Sequence, residues 1–236
     1  MNPSDAEYGA YDDAFFKDDF YWAAAELYLS TKDETFLKYL NDNRRNTQLE
    51  LTNSWKFFDG MWEFHLPLEN KAMLDKNFAN SLTKGHLDLA NGLLKSIESN
   101  PYRIALDRYE WGSNSDMLNQ AMILCIAHRI TGEEKYLVGA EQITDYVFGK
   151  NATGYSFLTG FGSKQVMFPH HRPSGADGIA QPVPGFIIGG PNKDKQDKQS
   201  VTYNSDFPAK SFVDAEGSYA SNEVCINWNA LAVSMF

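Results

Sequence analysis

The chain has 236 residues, 43% hydrophobic and 14% aromatic, enough for a sizeable core in one large domain or two small ones. A formal charge of −10 argues against nucleic acid as a partner, because such binding rests on Lys and Arg neutralising phosphates, and it leaves neutral ligands such as a sugar or peptide open. Cys125 and Cys225 are too few for a disulfide framework and have no metal-ligand spacing. No apolar run reaches the roughly 18–20 residues of a membrane span. Residues 1–7 lack the basic start and apolar centre of a signal peptide, which read literally means cytoplasmic.

The first element is the run DDFYWAAAELYL, residues 18–29. Phe20, Ala23, Ala24, Leu27 and Tyr28 recur at helical spacing, with acids at the end where the helix dipole favours them. After a polar break, a second helix is expected over 35–40. The aromatic-rich segment 54–64 leans to helix, and 78–98 reads as another helix, ended by Asn100 and Pro101. Residues 116–128 repeat the amphipathic pattern of the first helix, and TGEEKYL (131–137) aligns without gaps on TKDETFL (31–37). Repeated helical hairpins predict an all-α hairpin array or closed toroid of about seven helices, with no sheet.

After Gly149 the chain turns rich in Gly and Pro, and 150–215 reads as a long loop-rich insertion before the last helix. Within it, residues 189–198 are expected to be solvent-exposed loop. Glycines 160 and 162 suit tight turns or close approach to a ligand. His170 and His171 diverge as neighbours and make a poor metal pair, whereas His170 and Arg172 in an extended segment would point the same way and offer donors to hydroxyls or an anion. Taken singly, this tripeptide reads as an ordinary surface loop.

Residues 219–233 are expected to return to helix. Glu223 is a carboxylate in a core-like stretch, costly there unless paired, protonated or reactive. Asp214 and Glu223 bracket Tyr219 across a Gly-Ser turn and could converge on a cleft, though many surface loops look similar. Trp111, preceded by Tyr109 at a helix entry, could stack on the apolar face of a sugar, with core packing as the ordinary alternative. The sequon at Asn151 is common enough by chance to carry no weight.

Together, two of these segments resemble the paired signatures of glycoside hydrolase family nine, the cellulase and endoglucanase family. The first runs through Ser156, Leu158, Thr159, Gly162, Lys164, Pro169, His170 and Arg172, and the second through Phe212, Asp214, Tyr219, Glu223, Asn229 and Ala230. Residues 19–28 and 111–114 also look like family segments, so the resemblance covers essentially the whole chain. Cys225 and Leu231 depart mildly from the family pattern.

The resemblance implies an (α/α)6 barrel of twelve helices in six hairpins, and hydrolysis of β-1,4-glucan with inversion at the anomeric carbon. Inversion needs an acid for the leaving oxygen and a base for the attacking water, roughly 6.5–9.5 Å apart. The resemblance places the acid on Glu223, with His170 and Asp214 as further catalytic positions and Arg172, Tyr219 and Trp111 contacting sugar. Burial and a nearby base carboxylate would have to keep the Glu223 proton near working pH, against the pull of a helix start.

The family's base comes from an Asp-Ala-Gly-Asp-like segment well upstream of the Trp-Ala-Ala-Ala helix. Residues 5–11 mimic it superficially but have Tyr8 where the second Asp should stand, and they read as a lead-in loop. The expectation is therefore a partial catalytic domain over 1–236, the C-terminal portion, with the base upstream. Its partner would be a cellulose or β-glucan chain, with no nucleic acid, membrane, metal or cofactor. The full-length protein is expected to be secreted, with room for attached carbohydrate-binding modules outside this chain. The alternatives are a non-catalytic glucan-binding relative, a fragment inactive without its base, and another helical-toroid enzyme such as a polysaccharide lyase.

Overall fold

The computed structural model describes residues 16–43 and 76–234, within two compact units, Met1–Gly85 and His86–Phe236. The helix expected at 54–64 and the lead-in loop at 5–11 lie outside the described residues. Among the described residues there are helices and isolated bridges but no strand, as the hairpin pattern predicts, and no helix long and apolar enough to cross a membrane.

In the first unit, α1 (Lys17–Thr31) and α2 (Glu34–Asp42) form a hairpin joined by Lys32 and Asp33. Asp33 caps α2 by accepting the Thr35 amide at 2.8 Å. Tyr21, Ala24, Ala25 and Tyr28 are buried with Leu40. Of the stripe expected on α1, Ala24 and Tyr28 are buried, but Phe20 is 65% exposed and Leu27 43%, which corrects the rest. The helix is apolar on nearly every side, so helical spacing fits 20-23-24-27 and 21-24-25-28 equally well. Packing against α2 selects the second.

The repeat seen in the sequence is also a repeat of hydrogen bonds. Helix α4 (Ser113–Thr131) is followed by α5 (Glu134–Val147) as α1 is by α2. Thr31 donates to the Leu27 carbonyl at 2.7 Å, and Thr131 donates to the Ala127 carbonyl at 2.8 Å. Each hydroxyl then accepts the amide two residues on, from Asp33 at 3.2 Å and Glu133 at 3.1 Å. Lys32 and Gly132 both terminate their helix in the left-handed region.

Helix α3 (Lys76–Ser99) begins in the first unit, and its residues 86–99 belong to the second. There α4 is the central element, burying Met117, Leu118, Ala121, Ile123, Leu124 and Ala127. Leu93 and Ile97 of α3 and Tyr136, Ile143 and Tyr146 of α5 complete this core. Each buried Leu, Ile or Met among these contributes about 1.5–3 kcal/mol by leaving water.

From 148 to 218 the chain forms only α6 (Arg172–Ala176) and a 3-10 turn, Pro208–Lys210. Close backbone contact holds it together. At Gly162, φ is +100° and a Cβ would stand 2.7 Å from that of Ser156, so a side chain is excluded there. Asn151 occupies its own amide structurally, donating to the Tyr146 and Tyr155 carbonyls at 2.7 and 2.8 Å. The final elements are α7 (Tyr219–Asn222) and α8 (Ile226–Ser234), the latter packed on α4.

Asp116, in the first turn of α4, gives this unit a pH dependence. Burial, then repulsion from Glu110, pushes its carboxyl up to about 6 from 3.8. A folded-state value above the unfolded one means stability is greatest below the unfolded value and is lost as pH rises toward 6. Discounted for its partial exposure, the loss is about 1–2 kcal/mol. Asp116→Asn is therefore expected to raise the melting temperature at pH 7.5 by about 2–6 °C. That gain should vanish below about pH 4; an equal gain at both pH values in calorimetric melts would refute the assignment.

Candidate active site

Residues 219–233 do not form the single helix expected of them. Two helices, α7 and α8, are separated by an extended link in which Glu223 has φ −68° and ψ 151°. Glu223 thus stands three residues before α8, not in its first turn. The link continues neither helix because its backbone is engaged on both sides. On one side His170 bridges Glu223 in parallel, its amide donating to the Asn222 carbonyl at 2.8 Å. On the other, Ile188 bridges Val224 in antiparallel sense, and the Gly189 amide donates to the Glu223 carbonyl at 2.9 Å. The loop-rich insertion therefore contributes both flanks of the acidic residue.

The same insertion is fastened to the start of α4. The Asn114 amide donates to the Gly189 carbonyl at 3.0 Å, its side chain to the Ile188 carbonyl at 2.8 Å, and the Ser113 hydroxyl to the Pro191 carbonyl at 2.7 Å. A Cβ on Gly190, where φ is +88°, would meet the Asn114 side chain at 2.5 Å. This fastening corrects the expectation that 189–198 is solvent-exposed: residues 189–192 and Asp197 are buried, and the exposed positions are Lys193, Asp194, Gln196 and Lys198. The Lys-rich composition describes only that outer face.

Trp111, just before α4, brings its indole to the acid. Its Nε1 donates to Glu223 Oε2 at 2.9 Å. The ring lies 5.5 Å from that of Tyr219, tilted by 38°, and remains 43% exposed. Tyr219 in turn stands edge-on to His170 at 6.2 Å and donates its hydroxyl to the Gln196 carbonyl at 3.1 Å. Glu223, Trp111, Tyr219 and His170 are thus brought together.

The two histidines diverge. His170 Nδ1 lies 2.5 Å from the Glu216 carbonyl, which can only accept, so the neutral ring carries its proton on Nδ1 and presents Nε2 as an acceptor. His171 Nδ1 meets Ser174 Oγ at 2.8 Å, with its ring against Phe186. Arg172 is exposed and opens α6, which Pro173 helps to initiate, so the extended alternation expected to align Arg172 with His170 ends at His171.

Asp214 faces backbone. Its carboxylate accepts the Met167 amide at 3.0 and 3.2 Å and the Phe168 amide at 2.9 Å. It therefore fixes the segment leading into Pro169 and His170. Asn229 does the same for the other flank, exchanging side-chain hydrogen bonds with the Ile187 amide and carbonyl at 2.8 and 3.2 Å. Burial, followed by the Glu223 charge among the raising influences, pushes the Cys225 thiol up.

Asp197 was not singled out by its sequence. Only 1% exposed, it accepts from the Tyr203 and Ser218 hydroxyls at 2.7 and 2.8 Å and from the Ala220 amide at 2.9 Å. It caps α7 from a distant loop, one turn before Glu223. No local motif marks it, because its partners are 6 to 23 residues away.

Comparison with known proteins places this geometry in context. The profile described as Glycosyl hydrolase family 9 matches residues 1–236. A xyloglucan-specific endo-β-1,4-glucanase of Bacteroides ovatus, BoGH9A, is 37% identical over 234 residues, covering 96% of this chain and 39% of its own length. A solved Bacteroides ovatus GH9 structure superposes with a TM-score of 0.84 at 34% identity, over 96% of this chain and 40% of that one. A single mutant of a thermostable endoglucanase from Alicyclobacillus acidocaldarius superposes with a TM-score of 0.89 at 30% identity, over 100% of this chain and 45% of that one. The chain thus spans 39–45% of the length of these relatives.

Proposed function

This chain belongs to glycosyl hydrolase family 9, a family of (α/α)6-barrel enzymes of which it forms part, and on that premise we propose that it carries the general acid of an inverting β-1,4-glucan hydrolase. The membership removes the alternative of a polysaccharide lyase on another helical toroid. The observation that carries the proposal is the Trp111 indole on Glu223 Oε2, on a link flanked by the segments of His170 and Ile188.

An indole N–H is a donor only, so Oε2 must accept, and because a carbonyl oxygen accepts better than a hydroxyl this favours the acidic proton on Oε1. From there it passes to the glycosidic oxygen as the bond to the anomeric carbon breaks, while a base-activated water attacks the opposite face. We assign the base to none of the described residues. His170 Nε2, Tyr219 and Arg172 are proposed to orient sugar hydroxyls, and the exposed part of the Trp111 ring to face a pyranose. Asp214 acts through the backbone as a positioning residue.

A neutral glucan suits the net charge of −10 and the relatives' shared endoglucanase names. Secretion of the full-length protein is part of the proposal, since a polymeric substrate lies outside the cell. Proton NMR of cello-oligosaccharide hydrolysis by the full-length protein should show the α-anomer as first product. First appearance of the β-anomer would overturn inversion.

A further inference from the structure

Beside the His170 segment lies a cavity of about 240 Å3 that the proposed chemistry does not use. Met167, Phe168, Pro169, Ile179, Ala180 and Glu216 are among its lining residues. Phe168 and Ile179 are 58% and 65% exposed, so the cavity offers apolar surface to a ligand and is not closed core. The Glu216 carboxylate lies against Gly175, where an added Cβ would stand 2.6 Å from it, and among the described residues no hydrogen bond or ion pair is recorded for it. It is an available acceptor for hydroxyl groups.

The cavity shares its backbone with the candidate site. The Glu216 carbonyl accepts a hydrogen bond from His170 Nδ1, and Asp214 holds the Met167 and Phe168 amides that line the cavity. We propose that this cavity binds a single neutral monosaccharide branch of a substituted β-glucan whose backbone lies at Glu223. The inference rests on the glucanase reading above.

Four features select that occupant. A carboxylate with no Lys or Arg among the described lining residues disfavours acidic sugars and phosphates. A phenyl and an isoleucine beside an acceptor match a ring with one apolar face and hydroxyl edges. The volume of about 240 Å3 is of the size of one pyranose. Pro169, in the lining, directly precedes His170, which places the cavity one residue from the backbone-binding site.

The test is calorimetric titration of the full-length protein, carrying Glu223→Gln to prevent turnover, with cellotetraose and with cellotetraose bearing three xylosyl branches. The branched probe should bind about tenfold more tightly. Ala180→Trp, which fills the cavity, should bring the ratio of the two dissociation constants to about one. Glu216→Gln, which preserves shape, should lower the ratio severalfold, and it guards against misfolding of the Trp variant. Equal affinities, or a ratio unchanged in both variants, would overturn the branch site and leave the glucan reading standing. Binding of neither probe would overturn both.

Discussion

Glu223→Gln is expected to lower kcat of the full-length protein on soluble β-glucan by about 10²–10⁴-fold, the usual contribution of a positioned general acid. The fold should survive, because the amide oxygen of Gln can still accept from Trp111 and the backbone bonds on both flanks do not involve the side chain. KM should therefore change little, which distinguishes loss of the proton from loss of the cleft. An aryl glycoside with a very acidic phenol as leaving group needs no proton from the enzyme, so its hydrolysis should fall far less. Reducing-end assays on the polymer and absorbance assays on the aryl substrate read the two arms. Undiminished turnover of the polymer would remove Glu223 from the role of acid.

Asp197→Ala is expected to cause the larger loss of stability. It removes a buried acceptor from the Tyr203 hydroxyl, the Ser218 hydroxyl and the Ala220 amide together. A hydrogen bond to a charged acceptor contributes about 1.5–3 kcal/mol, and buried donors left unpaired add their own desolvation cost, but the three losses overlap at one site. A net cost of about 3–4 kcal/mol corresponds to a fall in melting temperature of about 6–16 °C for a chain of this size. Because Asp197 caps α7, which ends at Asn222, kcat should fall as well, with Glu223 intact. A shift below about 1 °C in scanning calorimetry would show that the network is dispensable.

The local rules carried much of the fold because they concern neighbours in sequence. The threonine turns at 31 and 131 bond within their own helices and loops, so two strings that share only Thr, Glu and Leu at matching positions give the same turn hydrogen bonds. Helix α1 shows where such rules stop. Its alternatives differ only in which apolar stripe meets a partner, and α2 supplies the choice. The site was partly legible in the same way. The spacing of Asp214, Tyr219 and Glu223 and the paired motifs directed attention to segments that the fold brings together. Charge and composition could not separate a carboxylate that meets an indole from one that holds backbone amides, or reveal a third beneath a Lys-rich loop.

By itself the sequence determined the helical hairpins and the break after Gly149, since periodicity, capping and turn chemistry act over a few residues. Only the tertiary structure decided that Glu223 sits on an extended link and not in a helix, that His170 and Ile188 flank it, and that Trp111 meets it from 112 residues away. The physical reason is that an extended link has no internal hydrogen bonds to specify it. Its conformation is stable only once distant backbone satisfies its amides and carbonyls, and that same distant backbone directs the carboxylate.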